Sequence, residues 1–381
     1  MDWALKMNNI QVGRKTRIAI AGVGAIGIAH IAAMKASRES VLCAIVDPSQ
    51  GAVSIATKEC VPLYKSLVEL LEKEKPDGII LATPNAFHVQ QALECMTAGV
   101  PVLLEKPIAT TVNEALILVE EVETSGSKLL IGHHRAHSPI MEKAKKVIDS
   151  GKLGKLVAVT GSATFMKPSQ YFEEGPWRRE IGGGPVLINM IHEVHNLRIL
   201  CGDIVAVQAF KSNATRGFAV EDTVAINLRF SNGVLGSFML SDTAASARSW
   251  EQTSQENKAY ASYNDEDCYV VMGTNGSLSI PTMRLKTYPG VEDRSWWKPF
   301  EIDVVPMIRE DPLVRQLNHF CDVIHGDATP LVTARDGVSN LIVTEAISKA
   351  SDSGCSIELE DITSNKLAAF SNSLKNEKAV H

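Results

Sequence analysis

The chain has no patterned cysteines, no long basic run and no apolar stretch long enough to cross a bilayer. Its seven cysteines lie at 43, 60, 95, 201, 268, 321 and 355, with no C-x-x-C pair. An odd, scattered set argues against a disulfide framework and a zinc site, and fits thiols kept reduced in a cytoplasm. Without a basic run, and with a formal net charge of −6, nucleic acid and anionic membrane are poor partners on electrostatic grounds. The first sixteen residues lack the apolar core of a signal peptide. No internal repeat or low-complexity block appears. What remains is ordinary for a soluble globular protein, 45% hydrophobic and 22% charged. At 381 residues the chain exceeds the usual reach of one core, so two domains are expected.

The organising stretch runs from Arg17 to Asp47. An apolar run, Ile18 to Ala21, leads into Gly22-Val23-Gly24-Ala25-Ile26-Gly27, then a helix-like segment and a second apolar run ending on Asp47. Strand, glycine turn, helix, strand and acid together define a dinucleotide site. Gly22 allows the tight turn, Gly24 lets backbone approach a pyrophosphate, and Gly27 lets helix pack on strand. The helix start at Ala25 and Ile26 offers free N–H groups and a positive dipole end. Asp47 is placed to accept the ribose hydroxyls, which favours NAD over NADP.

Strands and helices then alternate. Helices are expected over 51–58, 65–74, 87–98 and 113–124, with buried strands at 78–82, 102–105 and 129–132. This is a parallel sheet with helices on both faces, and its ligands bind at the strand C-terminal edge. Thr83, Asn85, Glu105 and Lys106 all fall just past strand ends. The α/β Rossmann domain is assigned to 17–137, after a polar lead-in at 1–16.

From residue 156 the pattern alternates with period two, at 157–165, 204–211, 223–230 and 234–240. Asn232-Gly233 marks a tight hairpin. An α+β domain over 138–362, with a large open antiparallel sheet and a helix over 185–201, is expected. Helices follow over 313–324 and 338–350, and a polar tail at 363–381.

Lys106 directly follows a buried strand. Burial and a nearby cationic nicotinamide would both lower its pKa, which suits a general base; the bland alternative is pairing with Glu105. Asn189, His192 and His195 recur at i, i+3 and i+6, and so are expected to share one helix face that holds a hydroxyl and relays its proton, unless they are ordinary interface residues. Arg135, at a strand end, is placed to meet cofactor or an acidic substrate. The pair Arg178-Arg179 after Trp177 suits a carboxylate. The run His133-His134-Arg135-Ala136-His137 has no carboxylate or cysteine at ligand spacing, so no metal site is assigned.

These motifs together resemble the Gfo/Idh/MocA oxidoreductase family, the glucose–fructose oxidoreductase and inositol dehydrogenase relatives. The matching stretches are GVGAIGIAH (22–30), ATPNAFH (82–88), EKPIA (105–109), GHHRAHSP (132–139), WRRE (177–180), GGG (182–184) and INMIHEVHNL (188–197). The resemblance implies hydride transfer to or from nicotinamide, with Lys106 exchanging the hydroxyl proton, His192 bonding the reacting hydroxyl, and a homodimer or homotetramer. The family's aspartate four residues before that histidine is Ile188 here, and its aspartate three residues after is His195. Asn189 then becomes the third catalytic candidate. The cofactor-facing set is Gly22, Gly24, Ala25, Ile26, Gly27, Asp47, Thr83, Asn85, His88, Glu105, Lys106, Arg135, Trp177 and Arg178. The substrate implied first is a small cyclic polyol or sugar. A carboxylated cyclic dihydrodiol, an NAD-using glycosidase reaction and NAD sensing without turnover are the alternatives.

Overall fold

The computed structural model describes residues 14–359, so most of the polar lead-in and the whole polar tail lie outside the described residues. The first half contains β1 (Thr16–Ala21), α1 (Ala25–Ala36), β2 (Ser40–Val46), α2 (Gly51–Glu59), β3 (Leu63–Tyr64) and α3 (Leu67–Lys73). It continues with β4 (Gly78–Leu81), α4 (His88–Thr97), β5 (Val102–Glu105), α5 (Val112–Ser125) and β6 (Leu129–Gly132). Its six strands are parallel, in the order β3-β2-β1-β4-β5-β6. All four residues of β4, of β5 and of β6 are buried, as helices on both faces require. The chain order reverses between β1 and β4, which opens the crevice where ligands of such sheets bind. The two-residue β3 was not apparent in the sequence, being too short to show a period.

The second half contains α6 (Pro139–Asp149), β7 (Leu156–Thr164), α7 (Ser169–Glu174), α8 (Ile191–Cys201), β8 (Ile204–Ser212), β9 (Thr223–Phe230) and β10 (Leu235–Ser241). Then come α9 (Trp250–Thr253), β11 (Tyr269–Gly273), β12 (Gly276–Ile280), β13 (Arg284–Thr287), β14 (Glu301–Val304), α10 (Pro312–His325), α11 (Ala334–Ser353) and β15 (Ile357–Glu358). The nine-stranded sheet runs β14-β13-β12-β11-β7-β10-β9-β8-β15. It is antiparallel except for β7 and β10, which pair in parallel. Alternation shows which face is buried but not strand direction, and the long excursion through α7, α8, β8 and β9 permits the parallel pairing. Edge strand β14 is exposed at every residue, so it carries no alternation to read.

One face of this sheet is covered by α8 and α11, through Val194, Leu197, Leu200, Val343 and Ile347. The other leaves Val157, Phe210, Leu235, Met239, Ile302 and Val304 exposed. The last helices are shared between the halves. Leu317, Phe320, Val338 and Leu341 belong to the core of the parallel sheet, while Val343, Ala346 and Ile347 belong to that of the second. No described helix is long and apolar enough to cross a membrane.

Candidate active site

The glycine turn separates into packing glycines and one that packing does not explain. A Cβ on Gly22, whose φ is +89°, would lie 2.5 Å from the Ala82 carbonyl oxygen, and one on Gly27 would lie 2.1 Å from that of Gly22. Both positions exclude any side chain. Gly24 has an ordinary φ of −68°, and a Cβ there would meet no atom within 4 Å. Gly24 and Ala25 are exposed and Ile26 is half-buried. The α1 N-terminus has no side-chain cap and no acidic residue in its first turn, so its N–H groups are left for an anion. Asp47 accepts the Val23 N–H at 3.0 Å and the Ser49 N–H at 2.8 Å. Burial alone would raise its pKa; the Ser49 and Val23 bonds and the Lys65 charge outweigh it and hold the carboxylate below its usual range. These residues fit a nicotinamide dinucleotide: a bare helix end for the pyrophosphate and an ionised acid for the ribose.

Past β4, the Thr83 hydroxyl donates to Gln91 at 2.6 Å, and Asn85 lines a surface groove with Val68, Leu71 and Gln90. The ring nitrogens of buried His88 meet the Thr83 and Pro107 carbonyls at 2.9 and 2.8 Å. His88 therefore braces the loop after β4 against the loop after β5.

Glu105 ends β5 fully enclosed. Its carboxylate accepts from His30 Nε2 at 2.7 Å and from the Lys106 N–H at 3.2 Å. Desolvation opposes ionisation, but the His30 bond and the Lys106 charge prevail and keep its pKa below the usual range. His30 had no role assigned from sequence. The signal was there, three residues after Gly27 on the buried face of α1. Lys106 is half-buried, and its Nζ donates to the Ile188 carbonyl at 3.2 Å. Burial, helped by Arg135 and opposed by Glu105 and Glu251, lowers its pKa.

The second candidate segment departs from the expected regular helix. Val186–Met190 forms a π-helical turn before α8, a feature frequent at functional sites. Asn189 lies within the π-helical turn, whereas His192 and His195 lie one turn apart on α8 and both rings meet His133. Asn189 Oδ1 accepts from Lys167 Nζ at 2.7 Å. The His192 ring stands 5.2 Å from that of His134 and 5.9 Å from that of His133. Burial, reinforced by the Lys106 charge, pushes its pKa well below the usual value, so His192 is a neutral imidazole. His195 stacks on His133 at 4.7 Å.

The tautomers of His133 and His195 follow from Asn340. Arg198 donates to Asn340 Oδ1 at 2.8 Å, which fixes the amide. Asn340 Nδ2 must then donate to His133 Nε2 at 3.1 Å and to His195 Nδ1 at 3.0 Å. Neutral His133 therefore carries its proton on Nδ1 and His195 on Nε2. His195 thus has its Nδ1 taken by Asn340 and presents an Nε2–H donor.

Arg135, expected at the cofactor or an acidic substrate, lies instead among carboxylates. Its guanidinium is buried and paired with Glu193 and, at 2.6 Å, Glu251. Tyr269 donates to Glu193, and Asn196 donates to Tyr269 at 3.0 Å. It is a core ion pair, not an open anion receptor. Trp177 is 55% exposed. Arg178 lies 3.9 Å over the Tyr171 ring and donates to the Tyr171 carbonyl. Gly183 packs on the Trp177–Arg178 backbone and Gly184 on Glu221, whereas a Cβ on Gly182 would meet no atom within 4 Å. Among the described residues, no group of three or more His, Cys, Asp or Glu is arranged to hold a metal.

A six-stranded parallel sheet with a bare glycine turn, joined to a large mixed sheet and holding a lysine and neutral histidines at the strand edge, defines a two-domain NAD-binding dehydrogenase. The oxidoreductase family described as NAD-binding Rossmann fold matches residues 16–133, and the Gfo/Idh/MocA C-terminal domain matches 141–279. The chain belongs to the Gfo/Idh/MocA oxidoreductase family. It is 26% identical to the 1,5-anhydro-D-fructose reductase of Ensifer adhaerens, over 89% of this chain and 97% of that one. It is 23% identical to the NAD-dependent scyllo-inositol 2-dehydrogenase of Bacillus subtilis, over 91% and 97%. The WlbA dehydrogenase of Bordetella pertussis, solved with NADH and UDP-GlcNAcA, has the same fold, with a TM-score of 0.72, 23% identity, and coverage of 91% and 99%. The protein is an NAD-dependent oxidoreductase.

Proposed function

We propose that this enzyme oxidises a ring secondary alcohol of a cyclic polyol or sugar, with Lys106 as the general base. The observation that carries the reading is a lysine of lowered pKa, bonded to the Ile188 carbonyl and close to neutral His192, on the ligand edge of the parallel sheet. Bound NAD supplies the hydride acceptor. Lys106 accepts the hydroxyl proton in its neutral form, which its lowered pKa makes accessible. His192, being neutral, can hold the same oxygen by a hydrogen bond without adding charge. His30 and Glu105 fix the residue that carries the base, and His88 fixes the loop that follows it. The inositol and anhydrofructose names of the relatives support the substrate class. The test is NADH formation with ring polyols and sugars; NAD binding with no oxidation of any secondary alcohol sinks the proposal.

Asp47 sets the cofactor preference in this reading. Because its pKa is held down, it is ionised at neutral pH and repels a 2′-phosphate. Asp47→Ser is expected to raise the NADP-to-NAD affinity ratio by about tenfold or more, a change of roughly 1.4 kcal/mol. Titrations of both nucleotides against both proteins check this, and equal affinity of the unaltered protein for NAD and NADP refutes it.

We also infer that a second copy covers the outer face of the large sheet, where Phe210, Leu235 and Ile302 are exposed. Sedimentation should show a dimer or tetramer, and Phe210→Lys should weaken it. A monomeric unaltered protein contradicts this.

A further inference from the structure

Lys167 had no role assigned from sequence. It lies three residues past β7, with its side chain 10% exposed. Only one of its three N–H donors is spent, on Asn189 Oδ1 at 2.7 Å. The nearest carboxylate, Asp242, is 3.7 Å away, beyond hydrogen-bond length, and is itself held by Arg216 at 2.9 Å. The same Tyr171 ring carries two cations, Lys167 Nζ at 4.8 Å and the Arg178 guanidinium at 3.9 Å. Among the described residues, Arg178 has no carboxylate within ion-pair distance, and its buried Nε has no partner. The Arg178 charge works against protonation of Lys167, and an anion near both cations would relieve that repulsion.

We propose that Lys167 and Arg178 form a carboxylate-binding subsite beside the catalytic lysine, so that the ring alcohol oxidised here is a polyol or sugar bearing a carboxylate. The inference rests on the dehydrogenase reading above and narrows its substrate. The two lysines are anchored on consecutive residues, Lys106 on the Ile188 carbonyl and Lys167 on the Asn189 side chain, and the Lys106 charge is felt at Lys167. Burial, with Arg178 and Lys106, lowers the Lys167 pKa to about 8 against the pull of Asp242 and Glu251. The ammonium is therefore still mostly charged at neutral pH. Lys167 also holds Asn189, so a purely supporting role must be separated from anion recognition.

The separating experiment uses matched probes: D-glucuronate with D-glucose, D-galacturonate with D-galactose, and quinate with myo-inositol. NADH formation gives kcat/KM, and calorimetry on the NADH-loaded enzyme gives binding. The unaltered enzyme should prefer the acid in at least one pair. Lys167→Met and, separately, Arg178→Gln should each lower the acid-to-neutral ratio of kcat/KM about tenfold or more, the scale of one charge-assisted hydrogen bond. The loss should sit mainly in KM, and Lys167→Arg should recover part of it. Equal losses for acid and neutral probes overturn the proposal and leave Lys167 as a support for Asn189. Preference of the unaltered enzyme for every neutral probe, or failure of all three acids to bind, also overturns it. Acids that bind through Lys167 without NADH formation sustain the subsite and instead count against the dehydrogenase reading.

Discussion

Replacing Lys106 with methionine is expected to lower kcat by about 10²–10⁴-fold, the usual range for a positioned general base, while NAD still binds. Methionine keeps the apolar stem that packs in the cleft and removes the group that accepts the proton. The Lys106–Ile188 hydrogen bond is lost, but the backbone remains held by Glu105, His30 and His88. Removing a cation near the positively charged nicotinamide should leave NAD affinity unchanged or stronger. The pH dependence has a fixed sign. The base works only when neutral, and burial, with the Arg135 charge, puts its pKa below the ordinary lysine value. The oxidation rate of the unaltered enzyme should therefore rise with pH and level off below the range of a free lysine. Lys106→Met should lose that rise. A variant that retains most of its kcat and the same pH profile would remove Lys106 from the mechanism.

Arg135→Met should unfold the protein more easily by about 3–5 kcal/mol, the cost of breaking a buried ion pair from one side. Arg135 sits between Glu193 and Glu251, with side chains 5%, 1% and 22% exposed. Without it, Glu193 is a carboxylate in a site that already raises its pKa through burial. The sign follows from linkage. A carboxyl whose folded pKa is raised destabilises the protein at pH above that value, and the penalty fades as pH falls and the group protonates. The deficit of Arg135→Met should accordingly shrink at mildly acid pH, and adding Glu193→Gln should restore part of it. Chemical denaturation of the three proteins at two pH values measures this. Unchanged stability with a specific loss of NAD affinity would instead return Arg135 to the cofactor site.

The contrast between these two residues shows what the sequence could reveal. The position of Lys106 at the ligand edge is legible because its signal is local: a buried strand, a charged residue at its end, and a glycine turn upstream in a parallel sheet. The same local logic applies to Gly27 and Asp47, which meet Gly22 and Val23 within the first βαβ unit, whereas Gly22 is constrained from outside it, by Ala82. Arg135 also follows a strand, but its partners lie 58 and 116 residues away, and no local pattern announces a pair at that separation. The π-helical turn at Val186–Met190 is equally hidden, since the spacing of Asn189, His192 and His195 reads as one regular helix while Asn189 lies in the turn before α8. His195 took its role from Asn340, 145 residues on. Lys167 gained significance only once β7 was placed at the middle of the second sheet, parallel to β10, a pairing that alternation does not encode.

The central claim is that hydride leaves a ring carbinol carbon for nicotinamide as Lys106 takes the hydroxyl proton. The most direct test incubates the enzyme with NAD and ring polyols, sugars and their acids deuterated at the carbinol carbon. Deuterium-labelled NADH is expected in amounts equal to the ketone formed, and none from Lys106→Met on the same timescale. Free sugar released without net NADH, or bound NAD with no label transferred from any of these alcohols, would contradict it.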